Sequence, residues 1–206
     1  MEARESTGWT VGVPELLQSL ERDIPFFDQS GGGVTFSGGE PLCQPDFLLA
    51  ILEACARYEI HSAVDTSGYG DTAVLLKAAE LCDLFLYDLK VLDPQKHRAS
   101  TGVDNRKVLD NLRVLSASGA DIIIRMPLIP TVNDSEEDLA AAAKFIAGLP
   151  RTHPVHLLPY HRAANGKYLK LGISYRGENI LPPLEEQVTR AAQRLSNFRL
   201  TVEVGG

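Results

Sequence analysis

The chain has 206 residues, 44% hydrophobic and 23% charged, with a formal net charge of −7. That length suffices for one sizeable core, so a single domain over residues 1–206 is expected. The acidic balance without a basic patch argues against a nucleic-acid partner. No apolar run approaches the roughly 20 residues that span a bilayer, so no membrane partner is expected. The opening "MEARESTGWTVG" lacks the apolar core of a signal peptide, and Cys43, Cys55 and Cys82 are widely spaced, as reduced thiols of a cytoplasmic protein would be.

In chain order, hydrophobic periodicity predicts helix over 13–23, strand over 33–38, helix over 45–59, strand over 61–68 and helix over 71–82. Strand follows over 84–90, helix over 105–119, strand over 121–130, helix over 135–149, strand over 155–161, helix over 183–198 and strand over 199–204. The strand runs are mostly apolar on both faces, as in a parallel sheet covered by helices. Repeated βα units with short connections give either a doubly wound sheet or a barrel. The series opens on a helix without its strand, which suggests that a preceding unit is missing. The stretch 160–183 is the one long irregular connection and a candidate functional loop.

Polar and glycine positions gather at the carboxyl end of each strand, where parallel α/β folds bind ligands. The first run, "GGGVTFSGGEPL" over 31–42, ends in Gly38, Gly39 and Glu40; the second ends in Asp65 and Thr66; the third carries Asp88, Leu89 and Lys90. The fourth contains Arg125 among apolar neighbours, and the fifth ends at Tyr160 and His161. Each has an ordinary structural reading. Gly38-Gly39 could simply turn the chain, Asp65 and Thr66 could cap a helix, and His161 could be a surface residue. Asp88 and Lys90 share a strand face and could be solvated charges or point together into a lumen. A partly buried Arg125 needs an anionic partner, either Asp88 or a ligand carboxylate. Taken together, the rim suits a zwitterion: Glu40 for an ammonium, Lys90 or Arg125 for a carboxylate. There is no Walker A motif and no GxGxxG opening a helix.

The segments "SGGGVTFSGGEPL", "VDTSGY", "LYDLK", "IRMPLIPTVND" and "LLPYH", with the closing "VEVGG", resemble the radical S-adenosylmethionine superfamily. More narrowly, they resemble glycyl radical enzyme activating enzymes of the pyruvate formate-lyase activase type. The resemblance implies an α/β fold, a partial (β/α)6 TIM-like barrel, here without its first βα unit. It implies that Gly38, Gly39 and Glu40 receive the methionyl amino group of S-adenosylmethionine, and that Thr66, Asp88, Lys90, Arg125, Leu158 and His161 complete the cofactor site. It also implies a monovalent-cation site at Asp65, Thr66, Asp88 and Leu89. In that family a [4Fe-4S] cluster reduces the cofactor, and the resulting 5′-deoxyadenosyl radical takes a hydrogen from a glycine Cα of a partner glycyl radical enzyme. The electron donor is a flavodoxin or ferredoxin.

The family's CxxxCxxC cluster motif is absent from this sequence, and Cys43 alone gives one thiolate where a cluster needs three. Two readings follow: part of a true activase, inactive by itself, or a degenerate relative that binds S-adenosylmethionine or a protein without radical chemistry. A third, an aldolase with Lys90 as Schiff-base nucleophile, has only the strand-end lysine in its favour. Because the family's cluster itself chelates the cofactor's amino and carboxylate groups, weak cofactor binding is expected here, and without the first strand an exposed sheet edge prone to self-association is expected as well.

Overall fold

The computed structural model describes residues 10–161, 177 and 179–205. Most of the 160–183 connection, the candidate functional loop, lies outside these residues. Helices α1 (Val13–Glu21) and α2 (Ile24–Ser30) precede strand β1 (Val34–Phe36). A short 3-10 turn (Pro41–Cys43) leads into α3 (Pro45–Arg57), then β2 (Ser62–Thr66), α4 (Thr72–Ala79) and β3 (Leu84–Asp88). Next come α5 (Pro94–Thr101), α6 (Arg106–Ser118), β4 (Ile122–Leu128), α7 (Glu136–Ala147), β5 (Val155–Pro159), α8 (Glu185–Ser196) and β6 (Val202–Val204).

The six strands are all parallel and lie side by side in sequence order. Right-handed crossovers between sequential neighbours place every helix on the same side of a sheet, which is the winding of a barrel and not of a doubly wound sheet. The helices accordingly pack on one another in a single layer, α1 on α3, α3 on α4, α4 on α6 and α7 on α8. The six expected strands are all present, and the parallel (β/α) architecture is that of a partial TIM-like barrel.

The expectation of strands apolar on both faces is corrected by the burial pattern. In β4, Ile122, Ile124, Met126 and Leu128 are buried, whereas Ile123, Arg125 and Pro127 between them are partly exposed. β3 alternates likewise, with Phe85 and Tyr87 buried and Leu86 and Asp88 half-exposed. The buried set joins Leu48, Leu52, Leu75, Leu112, Leu115 and Leu139 from the helices in one core. The other face lines the concave side of the sheet, and it is there that charged residues can reach a ligand. A second cluster, Leu20, Ile51, Cys55 and Ile60, seats α1 and α2 against α3 and β1.

Sequence periodicity missed α2 and α5. Helix α2 is short and contains Pro25 in its first turn, where a missing N–H costs nothing. Helix α5, "PQKHRAST", has no apolar stripe to detect; it is set by the Asp93 cap, whose carboxylate accepts from the N–H groups of Gln95 (2.9 Å) and Lys96 (2.8 Å), and by Gly102 in the left-handed conformation at its end. Its one buried side chain is His97.

Candidate functional site

Strand register decides which rim residues meet. Asp88 of β3 lies opposite Arg125 of β4, which lies opposite His156 of β5, which lies opposite Glu203 of β6. This row of polar side chains crosses the concave face. Arg125 donates from Nε and Nη2 to Asp88 Oδ1 at 3.0 and 2.7 Å, and from Nη2 to Asp65. Lys90 Nζ stands 3.4 Å from the other Asp88 oxygen, and His156 Nε2 stands 3.5 Å from Glu203. The anionic partner that Arg125 required is therefore a pair of carboxylates from neighbouring strands.

Burial raises the Asp65 carboxyl above the usual carboxylate range; Arg125 pulls against that rise and the like charge of Asp88 adds to it. For Arg125, burial disfavours the charge, but Asp88 and Asp65 outweigh it and hold the guanidinium firmly protonated. The guanidinium keeps capacity, because Nη1 has no partner among the described residues.

Glu40 sits across the rim at the start of the 3-10 turn. Its Oε1 accepts from the Leu42 N–H (3.3 Å) and the Thr66 hydroxyl (2.5 Å), and its Oε2 from the Ser67 N–H (2.9 Å) and the Ser67 hydroxyl (2.5 Å). Four donors fill the lone-pair sites of one carboxylate. Glu40 thus fastens the loop after β1 to the end of β2. Thr66 and Asp65 are adjacent on β2 and point to opposite faces: Thr66 is buried and turned to Glu40, Asp65 faces Arg125. Leu89 is buried in the main core, and its N–H donates to the Arg125 carbonyl at 2.9 Å.

The two glycines differ. Gly38 has φ +129°, a backbone conformation that side chains rarely adopt. Gly39 is under no such constraint, and a Cβ on it would meet nothing within 4 Å. Neither backbone geometry nor packing demands glycine at position 39, and the space beside Glu40 is open. Leu158 lies on β5 opposite Pro127, and His161 is exposed two residues past the end of that strand. A cavity of about 220 Å³ opens from Glu40, Asp88 and Lys90 toward the loops after β2 and β3.

Three buried asparagines hold the rim, and nothing in the sequence reading marked them. Asn111 donates to the carbonyls of Gly68 (2.8 Å) and Gly70 (3.1 Å), fixing the loop after β2. Asn105 donates to the Val91 and Leu92 carbonyls at 3.1 and 2.7 Å. Asn133 donates to the carbonyls of Lys90 (2.7 Å) and Pro127 (2.6 Å) and accepts from the Ile129 N–H (2.8 Å), joining the loops after β3 and β4. Gly68, φ +71°, is required twice over, since a Cβ would collide with the Tyr87 ring. Ser67, His97 and His156 were missed too. Only strand register, invisible in a single sequence, puts His156 beside Arg125.

The three thiols do not form a cluster site. Cys43 is exposed on the rim and Cys55 is on the buried face of α3, where burial, aided by Asp83, pushes its thiol up. Burial pushes the Cys82 thiol up to about 12, against the thiolate that iron requires. Among the described residues, no three histidines, cysteines or carboxylates are grouped to hold a metal.

The model of the radical SAM superfamily matches residues 6–143. The chain belongs to that superfamily. Within it, the chain is 38% identical over 99% of its length to the trans-4-hydroxy-L-proline dehydratase activating enzyme of Clostridioides difficile, of which it covers 68%. It is 42% identical over 84% of its length to the pyruvate formate-lyase-activating enzyme of Clostridium pasteurianum, covering 72% of that protein. A solved domain of a pyruvate-formate lyase-activating enzyme from Bacteroides vulgatus superposes with a TM-score of 0.73 at 36% identity, covering 85% of this chain and 99% of that domain. These relatives place the chain among the glycyl radical enzyme activating enzymes. The chain spans as little as about half the length of other curated relatives, 52% in one isethionate sulfite-lyase activating enzyme. No described helix is long and apolar enough to cross a membrane.

Proposed function

We propose that this chain binds S-adenosylmethionine at the carboxyl ends of β1 to β5, as the cofactor-holding portion of an enzyme that installs a radical on a glycine of a partner protein. The observation that carries this reading is the open space over Gly39, a glycine that neither backbone nor packing needs, beside a carboxylate. The chain's own residues then act as follows. Gly38 and Gly39 let the backbone approach the ligand, and Glu40 takes the ammonium by exchanging the Ser67 hydroxyl on Oε2. Arg125 Nη1 and Lys90 take the carboxylate, while Asp65 and Asp88 keep the guanidinium in place. Thr66 steadies Glu40; Leu158 and His161 line the adenosine side from the end of β5. When bound, the cofactor supplies the one-electron chemistry that removes hydrogen from a glycine Cα. The partner is a glycyl radical enzyme, and the reducing electron comes from a flavodoxin or ferredoxin. A monovalent cation would share the Asp65 and Asp88 oxygens with Arg125, with Thr66 and Leu89 adjoining.

Calorimetric titration of S-adenosylmethionine into the Gly39→Val variant tests the site. The variant folds with an unchanged melting temperature, because its side chain enters open space, and loses at least tenfold in affinity. Unchanged affinity would place the cofactor elsewhere. Repeating the titration with and without potassium tests the cation, which raises affinity only if it joins the site.

The cysteine geometry favours a second statement: these residues do not themselves carry the [4Fe-4S] cluster. Anaerobic reconstitution of this chain with iron and sulfide yields no cluster signal by electron paramagnetic resonance. A stoichiometric cluster would refute it.

A further inference from the structure

His97 is buried, at 5% exposure, yet it lines the cavity that opens from Glu40, Asp88 and Lys90. Its Nδ1 lies 2.9 Å from the Val103 carbonyl oxygen. A carbonyl can only accept, so Nδ1 carries the proton, and Nε2 is the nitrogen that an imidazole in this tautomer offers as acceptor. The Thr101 hydroxyl, 3.1 Å from the same Nδ1, already donates to the His97 carbonyl at 2.8 Å and so does not reverse this assignment. No group among the described residues bonds to Nε2.

The surroundings hold the ring still. Helix α5 buries no other side chain, and its ends are fixed by the Asp93 cap and Gly102. Lys96 ties it to Asp138 of α7 at 2.5 Å, and Asn105 clamps the segment that leads into it. This polar helix buries a single side chain, an oriented acceptor over a cavity.

The cavity's lining indicates the occupant. Its walls toward the loops after β2 and β3 are Tyr69, Val103 and Val108, and its floor is Glu40, Ser67, Asp88 and Lys90, the cofactor side of the proposed site. An oriented acceptor and apolar walls directly beside the cofactor residues match a short stretch of peptide backbone with small side chains, the part of a protein substrate that must reach the cofactor. Resting on the function proposed above, we propose that His97 Nε2 accepts a hydrogen bond from a backbone N–H of the protein substrate's glycine-bearing loop, making His97 a substrate-binding residue.

Two substitutions separate the ring's structural and binding atoms. His97→Asn keeps a donor for the Val103 carbonyl and deletes the Nε2 acceptor; His97→Gln reaches the Nε2 position and loses the Val103 bond. The probes are the capped tripeptide acetyl-Ala-Gly-Ala-amide and its N-methylglycine counterpart, which lacks the glycine N–H, titrated into this chain by nuclear magnetic resonance. A shift of the His97 Nε2 resonance with the tripeptide, and an approximately fivefold weaker affinity on either His97→Asn or N-methylation with no further loss when both are combined, is the expected result. His97→Gln lowers the melting temperature more than His97→Asn and retains more peptide affinity. No peptide-induced shift at His97, or equal affinity of wild type and His97→Asn, would overturn the proposal. S-adenosylmethionine titrated in parallel separates the two readings: cofactor binding with a silent His97 defeats this inference alone, and a His97 response without cofactor binding defeats the proposed function alone.

Discussion

Glu40 accepts four hydrogen bonds from groups of this chain, so an incoming ammonium competes with one of them. The Ser67 hydroxyl is the replaceable donor, because the Ser67 N–H remains on the same oxygen when it rotates away. Ser67→Ala therefore binds S-adenosylmethionine as well as or a few-fold better than wild type. Glu40→Gln weakens binding and also destabilises the chain by about 1–3 kcal/mol, since its amide turns a donor toward a donor. Calorimetry and thermal melts on the two variants decide the matter; weaker binding by Ser67→Ala would show that the hydroxyl contacts the ligand directly. Position in the sequence marked Glu40 for a ligand, but three of its four donors come from Thr66 at the end of β2 and Ser67 just after it, 26 and 27 residues further on. Arg125 was the better-read residue, because a guanidinium amid apolar neighbours must find an anion. The sequence offered Asp88, and only the fold added Asp65.

Among the elements, those set by hydrophobic pattern were legible and those set by polar clips were not. All six strands and the long helices follow from apolar spacing, whereas α5 stands on a cap and a left-handed glycine. The clips at the rim are amide side chains, and a second set lies at the opposite end of the sheet. There, His153 Nε2 meets the Ser116 hydroxyl of α6 at 2.8 Å, and that oxygen accepts from the Arg151 N–H at 3.1 Å. Burial, aided by the positive charge of Arg151, lowers the His153 imidazole below its usual range. In the folded chain it stays neutral where the unfolded chain's histidine protonates near pH ~6.5. The unfolded state binds more protons in that window, so stability is full above it and falls as pH drops through and below it. Urea melts across this range show the decline for wild type and a flatter profile for His153→Gln. An identical slope in the variant would remove His153 as the source.

For the whole molecule, sequential parallel strands with helices on one side produce a concave face, and its upper row holds Asp88, Arg125, His156 and Glu203 in register. The outer edge of β1 has no strand partner among the described residues. The alternation of helix and strand gave a parallel α/β class, doubly wound or barrel, but not which face of each strand was covered. That depends on crossover handedness and winding, which act at a distance along the chain. The central claim is that the open space at Gly39 and the donors of Lys90 and Arg125 form one cofactor site. The most direct measurement is a backbone-amide nuclear magnetic resonance map of this chain as S-adenosylmethionine is added to millimolar concentration. Perturbations concentrated at Gly38, Gly39, Glu40, Ser67, Lys90 and the Arg125 side chain are the expected result. Perturbations confined to another region, or none, would contradict it.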